Sequence, residues 1–200
     1  MKINRIAELN KGFLVVFEDG GEIRLSEEIY FTESIYEKEE LSREEIDGIL
    51  HRDKVLEAEI LCKRYLAGGL RPRRRLLAYM ESKGIDDDVA LETIDRLESD
   101  KYLDDFKFAE KKAKRKMISS PVSRAMLAVW LEQEGVDRET AERVVKKLNI
   151  DDNKTAARLL EKRFRRDGAD RKRAASYLAS RGFDGDTICS VLGMEDLWNM

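Results

Sequence analysis

Two prolines, two cysteines and one histidine are all that this 200-residue chain holds of those types, and aromatic residues make up only 8% of it. Each scarcity excludes something. With Pro72 and Pro121 alone, little interrupts a helix along most of the chain. Cys62 and Cys189 show no metal-ligand spacing and read as two reduced cytosolic thiols. A histidine-based nucleophilic triad would have to rest on His51, and the acidic surroundings of "LHRDK" do not favour one. The glycines of "AGGLRPRRR" lack the spacing that cradles a phosphate. No apolar run approaches the roughly 20 residues of a membrane span. The opening "MKINRIAELNKG" has no apolar stretch of the signal-peptide kind. The expectation is a cytoplasmic protein with no membrane contact and no catalytic residue, metal or cofactor.

What is abundant is charge. Asp, Glu, Lys and Arg form 40% of the chain against 42% hydrophobic residues, with a net charge of −3. That small number hides an asymmetry: residues 1–53 carry 7 Lys and Arg against 14 Asp and Glu, and residues 54–200 carry 31 against 27. An acidic head on a basic body implies two parts with different partners. Ala, Leu, Glu, Lys and Arg dominate, which favours helix.

In the head, "INRIAEL", "FLVVFED" and "EIRLS" are short, rich in β-branched and aromatic residues, and split by "NKG" and "DGG". Asp-Gly is a favoured hairpin turn because glycine accepts positive φ. This predicts a three-stranded antiparallel meander. Ser26 then caps a short helix, and Ser42 opens another with Glu45 three residues on, the spacing of a capping box.

The body is a repeat. Gly84, Gly135 and Gly182 anchor three copies, each with an aromatic five residues earlier (Tyr79, Trp130, Tyr177) and Met80, Leu131 or Leu178 four earlier. After the glycine comes an apolar residue (Ile85, Val136, Phe183), then an aspartate (Asp86, Asp137, Asp184). The glycine suits the left-handed end of a helix and the aspartate the cap of the next. Pro72, Pro121 and Asp170 mark where each second helix begins, and "KVLEAEILCKRYLA", "FKFAEKKAKRKMI" and "KTAARLLEKRF" supply a first helix to each copy. The fold class is mainly α: three tandem three-helix repeats (54–103, 104–150 and 151–200) form an elongated, curved body behind a β-containing head (1–53). The aromatic column is expected in the core. The aspartates at 86–88, 104–105 and 151–152 fall at helix starts, where carboxylates cap N–H groups rather than hold metal.

The basic runs are the remaining signal: "RPRRR", "KKAKRK", "KRFRR" and "RKR". Few acids balance the first run or the last two, which recur at like points in copies one and three. The candidate partner- or phosphate-binding residues are Arg71, Arg73, Arg74, Arg75, Arg163, Arg165, Arg166, Arg171 and Lys172, with Lys111, Lys114 and Arg115 from the middle run.

The threefold unit resembles the RecX family of bacterial recombination regulators. "YLDDFKFAEKKAKRK" is similar to that family's Leu-Asp-Asp…Phe/Tyr-Ala segment, and "RKRAASYLASRGFDGDTICSVL" to its closing Arg-Gly-Phe motif with the apolar helix behind it. The head resembles an N-terminal extension of some members, and the repeat match spans roughly 55 to 194. Two places depart: "MISSPVSRAML" keeps only Pro121 and Arg124 of a Lys-Gly-Pro basic stretch, and "RPRRRLLAYM" replaces a Ser-x-x-Glu-Leu pattern. The resemblance implies a non-enzymatic, monomeric modulator that binds RecA filaments on single-stranded DNA and dampens ATP hydrolysis, strand exchange and co-protease activity. It implies only weak contact with the DNA itself. A rival reading is a helical DNA-binding protein acting through phosphate contacts. Its second helices, "LAYMESKG" and "LAVWLEQEG", are apolar and acidic where base readout needs Arg, Asn or Gln.

Overall fold

The computed structural model describes residues 1–164 and 170–193. The head is the expected meander: β1 (Ile3–Leu9), β2 (Gly12–Phe17) and β3 (Glu22–Leu25) pair antiparallel in that order. The register sets Val15 opposite both Ile6 and Ile23. Alternation along β2 turns Val15 and Phe17 inward onto Leu25 and onto Ile29 and Tyr30 of α1 (Glu27–Thr32), and the Phe13 ring stacks on Tyr30 at 3.7 Å. Ser26 caps α1 through the Ile29 amide, and both its N–H and its hydroxyl donate to the buried carboxylate of Asp53.

The two helices expected around residue 53 are one. The Ser42 capping box opens α2 (Arg43–Ala67), which runs unbroken for 25 residues. No proline interrupts it, and its two halves bury different faces. Ile46 and Ile49 pack on the sheet, whereas Val55 and Ala58 pack on Val89 of α4 (Asp87–Ser99). A change of partner along a continuous helix reads, in sequence, as two helices.

Seven further helices complete the repeats: α3 (Arg73–Glu81), α5 (Asp105–Ser119), α6 (Arg124–Gln133), α7 (Arg138–Leu148), α8 (Asp152–Phe164), α9 (Arg171–Ala179) and α10 (Gly185–Leu192). The chain clusters into two compact units. The first holds Met1–Gly69 and Leu76–Tyr102; the second holds Leu70–Arg75 and the chain from Leu103 onward. The second unit's main core gathers Phe108, Ala109 and Ala113 of α5, Leu127 and Leu131 of α6, and Ala141, Val144 and Val145 of α7.

All three repeat glycines have positive φ: 72° at Gly84, 102° at Gly135 and 79° at Gly182. At each, the next residue's N–H donates back to the carbonyl five residues earlier, Ile85 to Met80, Val136 to Leu131 and Phe183 to Leu178, the long bond of a Schellman end. The core column is one residue on from the aromatic one. Met80, Leu131 and Leu178 are fully buried, whereas Tyr79, Trp130 and Tyr177 are only half-buried, so the expectation of a ring column in the core is corrected. Cations lie over each half-buried ring: Lys83 on Tyr79, Lys116 on Trp130, and Arg163 with Arg181 on Tyr177.

Most of the aspartate caps form as expected. Asp104, Asp137, Asp151, Asp170 and Asp184 each accept an N–H from two or three residues on, at 2.7–3.1 Å. Asp86 sits at the cap of α4 but turns its carboxylate to Lys54 Nζ at 2.9 Å instead. Pro72 directly precedes α3, but Pro121 lies three residues ahead of α6, because Ser123 caps that helix through the Met126 amide. The second aspartate of each pair reaches a different helix: Asp105 accepts the N–H of Arg73 at 2.8 Å, and Asp152 that of Arg124 at 3.0 Å.

These caps carry an acid dependence. Burial acts to raise the Asp137 carboxyl, but the backbone and side-chain hydrogen bonds from Thr140, with the neighbouring backbone N–H groups, outweigh it; at Asp184 the bonds from Thr187 dominate. Both are held below the usual carboxylate value. A folded-state pKa below the unfolded one means stability that is full above the unfolded value and is lost as pH falls through the folded one. The thermal midpoint should therefore drop as pH falls below about 4. The double variant Asp137→Asn, Asp184→Asn, which keeps cap acceptors but cannot titrate, should show a shallower drop. Identical profiles for the two proteins would contradict this.

Candidate nucleic-acid and partner interface

In the second unit, the chain enters α3 through Leu70–Pro72, and the Asp105 carboxylate holds the first helical N–H. This leaves Arg71, Arg74 and Arg75 exposed and Arg73 half-buried around one helix start. Arg74 and Arg75 make no ion pair among the described residues, and the base of each side chain lies near Gly135.

The middle run on α5 is largely balanced. Lys112 pairs with Glu134 at 2.8 Å, and Lys114 with Glu110 at 2.7 Å. The bonds from Lys114 and Lys147 hold the Glu110 carboxyl below its ordinary value. Lys111 and Arg115 are exposed and unpaired among the described residues. Arg171 and Lys172 stand exposed on the first turn of α9, which Asp170 caps. Arg163 lies over Tyr177, 5.2 Å from the ring centroid. Arg165 and Arg166 fall outside the described residues.

One concavity is not centred on those runs. A cleft of about 850 Å³ opens between the end of α5 with the following Ser120 and Pro121, and α8 with Tyr177 and Arg181. Lys154, Arg158, Lys162, Arg163 and Arg181 line it, against one acid, Asp151, whose carboxylate already caps α8. Arg158 and Lys162 have no ion-pair partner among the described residues. Arg181 is fixed by donating to Ser120 Oγ at 2.7 Å and to the Pro121 carbonyl at 3.4 Å, and its own carbonyl accepts the Ser123 N–H. Of the described residues expected from sequence, only Arg163 reaches this cleft. Lys154, Arg158 and Lys162 were missed as a set, although Lys162 opens the "KRFRR" run, and Arg181 was missed altogether. The first three are spaced four apart, one stripe of a helix, a signal that a search for contiguous basic runs passes over. For Arg181 nothing local in the sequence signals its reach to Ser120.

The carboxylate pairs are engaged with helix N–H groups, and among the described residues no helix is long and apolar enough to cross a membrane. His51 lies against Glu92 at 2.7 Å and Asp88 at 3.5 Å, a link between α2 and α4. Burial pushes the Cys62 thiol up to about 11, where it is not a reactive thiolate.

Comparison with known proteins agrees with the repeat register. Residues 151–192 match the family described as RecX, third three-helix domain. Over 152 residues the chain is 32% identical to the regulatory protein RecX of Mycobacterium leprae, covering 72% of this chain and 88% of that one. Over 189 residues it is 24% identical to the RecX of Geobacillus kaustophilus, covering 90% and 70%. A crystal structure of a regulatory protein RecX superposes with a TM-score of 0.72 at 15% identity, over 96% of this chain and 98% of that one. The RecX structure from Lactobacillus salivarius does so with a TM-score of 0.62 at 22% identity, over 73% and 99%. Three glycine-anchored repeats in one register, together with a relative at this identity and coverage, place the chain in the RecX family of regulatory proteins.

Proposed function

We propose that this chain is a non-enzymatic regulator that binds the RecA filament on single-stranded DNA and damps its ATP hydrolysis, strand exchange and co-protease activity. Membership of a family of regulatory proteins supports the regulatory part. The observation that carries the reading is the set of exposed cations without acidic partners among the described residues, Arg74 and Arg75 at the start of α3 and Arg171 and Lys172 at the start of α9. With Arg71, Arg73 and Arg163, and with Lys111, Lys114 and Arg115 contributing less, they form the partner-facing surface. A protein of net charge −3 gains little from naked DNA at physiological salt. An acidic protein surface interleaved with phosphates gives the same cations two kinds of partner.

The test is a RecA ATPase assay on single-stranded DNA with this protein titrated in, beside affinity for filament and for bare DNA at equal salt. Binding to filament should be far tighter than to bare DNA. The variant Arg74→Glu, Arg75→Glu, Arg171→Glu should relieve inhibition while its helical circular dichroism and melting stay those of the parent. Equal affinities, or full inhibition by the reversed variant, would overturn the proposal, and equal affinities would favour a plain phosphate-binding protein.

A further inference from the structure

We infer that the cleft between α5 and α8 is a track for a short single-stranded DNA segment, sharing only Arg163 with the partner-facing surface. The inference deepens the proposed function and rests on it for the single-stranded character of the DNA. Three observations carry it.

The first is charge. Five cations face one carboxylate, Asp151, which caps α8 and pairs with Lys154 at 3.5 Å, and Arg158 and Lys162 have no acidic partner among the described residues. Unneutralised cations converging on one concavity call for an anion. The second is spacing. Lys154, Arg158 and Lys162 rise along α8 in steps of four residues, about 6 Å apart at the α-helical rise. That step is comparable with the separation of successive phosphates on a strand. A lone small anion would use one such cation, whereas a strand uses the row. The third is the mixed wall. Opposite the stripe, Met117 and Ile118 end α5, and Ile118 is 84% exposed, an isoleucine that the fold leaves in the open. An apolar edge beside a cationic row matches a ligand with phosphates on one side and base faces on the other.

Size selects the strand over the duplex, since about 850 Å³ lies within the range of small-ligand pockets. It admits a nucleotide or two at a time. Tyr177 acts here as a positioning residue: Arg163 and Arg181 lie 5.2 and 5.4 Å from its ring centroid, so the ring orients both guanidinium groups. Arg181 is further fixed by Ser120.

The experiment uses the full chain and a fluorescent oligothymidine at low salt. The double variant Arg158→Ala, Lys162→Ala changes two exposed side chains, and a melt checks its fold. It should bind about tenfold more weakly or worse, as expected for losing charge-assisted contacts. Its log–log salt slope should be smaller by about 1.4, at about 0.7 per phosphate contact on a single strand. Ile118→Ala should weaken binding with no change of slope, which a merely electrostatic role for the cleft would not produce. The comparison variant Arg138→Ala, Lys146→Ala, which changes two exposed cations of α7 outside both surfaces, should bind the oligonucleotide nearly as the parent does. Unchanged oligonucleotide affinity in the Arg158, Lys162 variant would overturn the inference. So would an equal loss in both double variants, or thymidine monophosphate competing as well per phosphate as the strand. If the cleft variant loses affinity for the RecA filament alone, the cleft meets protein and the inference falls while the proposed function stands. If the parent binds filament no better than bare strand, the proposed function falls and the cleft assignment is judged by its own variants.

Discussion

Replacing Gly182 by alanine is expected to destabilise the second unit by about 2–5 kcal/mol, roughly twice the cost of the same change at Gly84. Both glycines end the second helix of their repeat with positive φ, 79° and 72°, and both precede the same backward hydrogen bond. The left-handed conformation alone costs an alanine about 1–2 kcal/mol, and that part is shared. What differs is the neighbour. A Cβ on Gly182 would lie 2.7 Å from Met126 Cβ and 2.9 Å from Ser123 Oγ, at the start of α6, whereas a Cβ on Gly84 would meet nothing within 4 Å. Met126 Cβ is anchored to the backbone, and Ser123 is buried and capping α6, so neither can withdraw freely. Overpacking of this kind adds about 1–3 kcal/mol. Gly135 falls between: a Cβ there would sit 3.1 Å from the Pro72 ring. Urea unfolding of the three Gly→Ala variants should rank them 182, then 135, then 84. Equal losses would show that the helix end alone, and not the approach of one helix turn to another, requires the glycine.

That ranking also shows what could be read from sequence. The glycine column was legible because a left-handed helix end demands a residue without a Cβ, a local requirement written at one position. The caps were legible for the same reason: Ser42 with Glu45, Asp137 and Asp184 act on N–H groups within three residues of themselves. Interactions across repeats were not. Asp105 and Asp152 look like surplus carboxylates beside Asp104 and Asp151, yet each closes the first turn of a helix some thirty residues earlier in the chain. Asp86 shows the converse, a residue of the right type at a cap position whose carboxylate Lys54 draws away. The basic runs were legible because contiguous charge is visible without a fold. The Arg158 and Lys162 stripe lines a cleft only when Arg181, just beyond the end of α9, is brought against Ser120. The unbroken α2 escaped notice because its buried face changes partner along its length, so the apolar periodicity slips where the sheet gives way to α4.

The aromatic column carries the other large expected effect, through the residue beside it. Leu131→Ala should cost about 2–5 kcal/mol and Trp130→Ala about 1–2 kcal/mol, although tryptophan is much the larger side chain. Leu131 is fully buried in the α5, α6 and α7 core, where truncation loses transfer free energy and leaves a cavity that the packed neighbours fill only in part. Trp130 rests against the same core with part of its surface in water, so its removal loses only part of a full burial, and the gap opens to solvent rather than into the interior. The Lys116 ammonium, 5.0 Å from the ring, adds about 0.5–1 kcal/mol at such an exposed site. The same order should hold in the other copies, with Met80→Ala worse than Tyr79→Ala and Leu178→Ala worse than Tyr177→Ala. Tyr79 narrows its gap because it stacks on Tyr65 at 4.2 Å and 8°. Thermal and urea unfolding of the six single variants decide the matter. A Trp130→Ala loss equal to or greater than that of Leu131→Ala would return the ring column to the core. A smaller loss in every pair would leave three half-open rings, each held under a cation, at equivalent points of the three repeats.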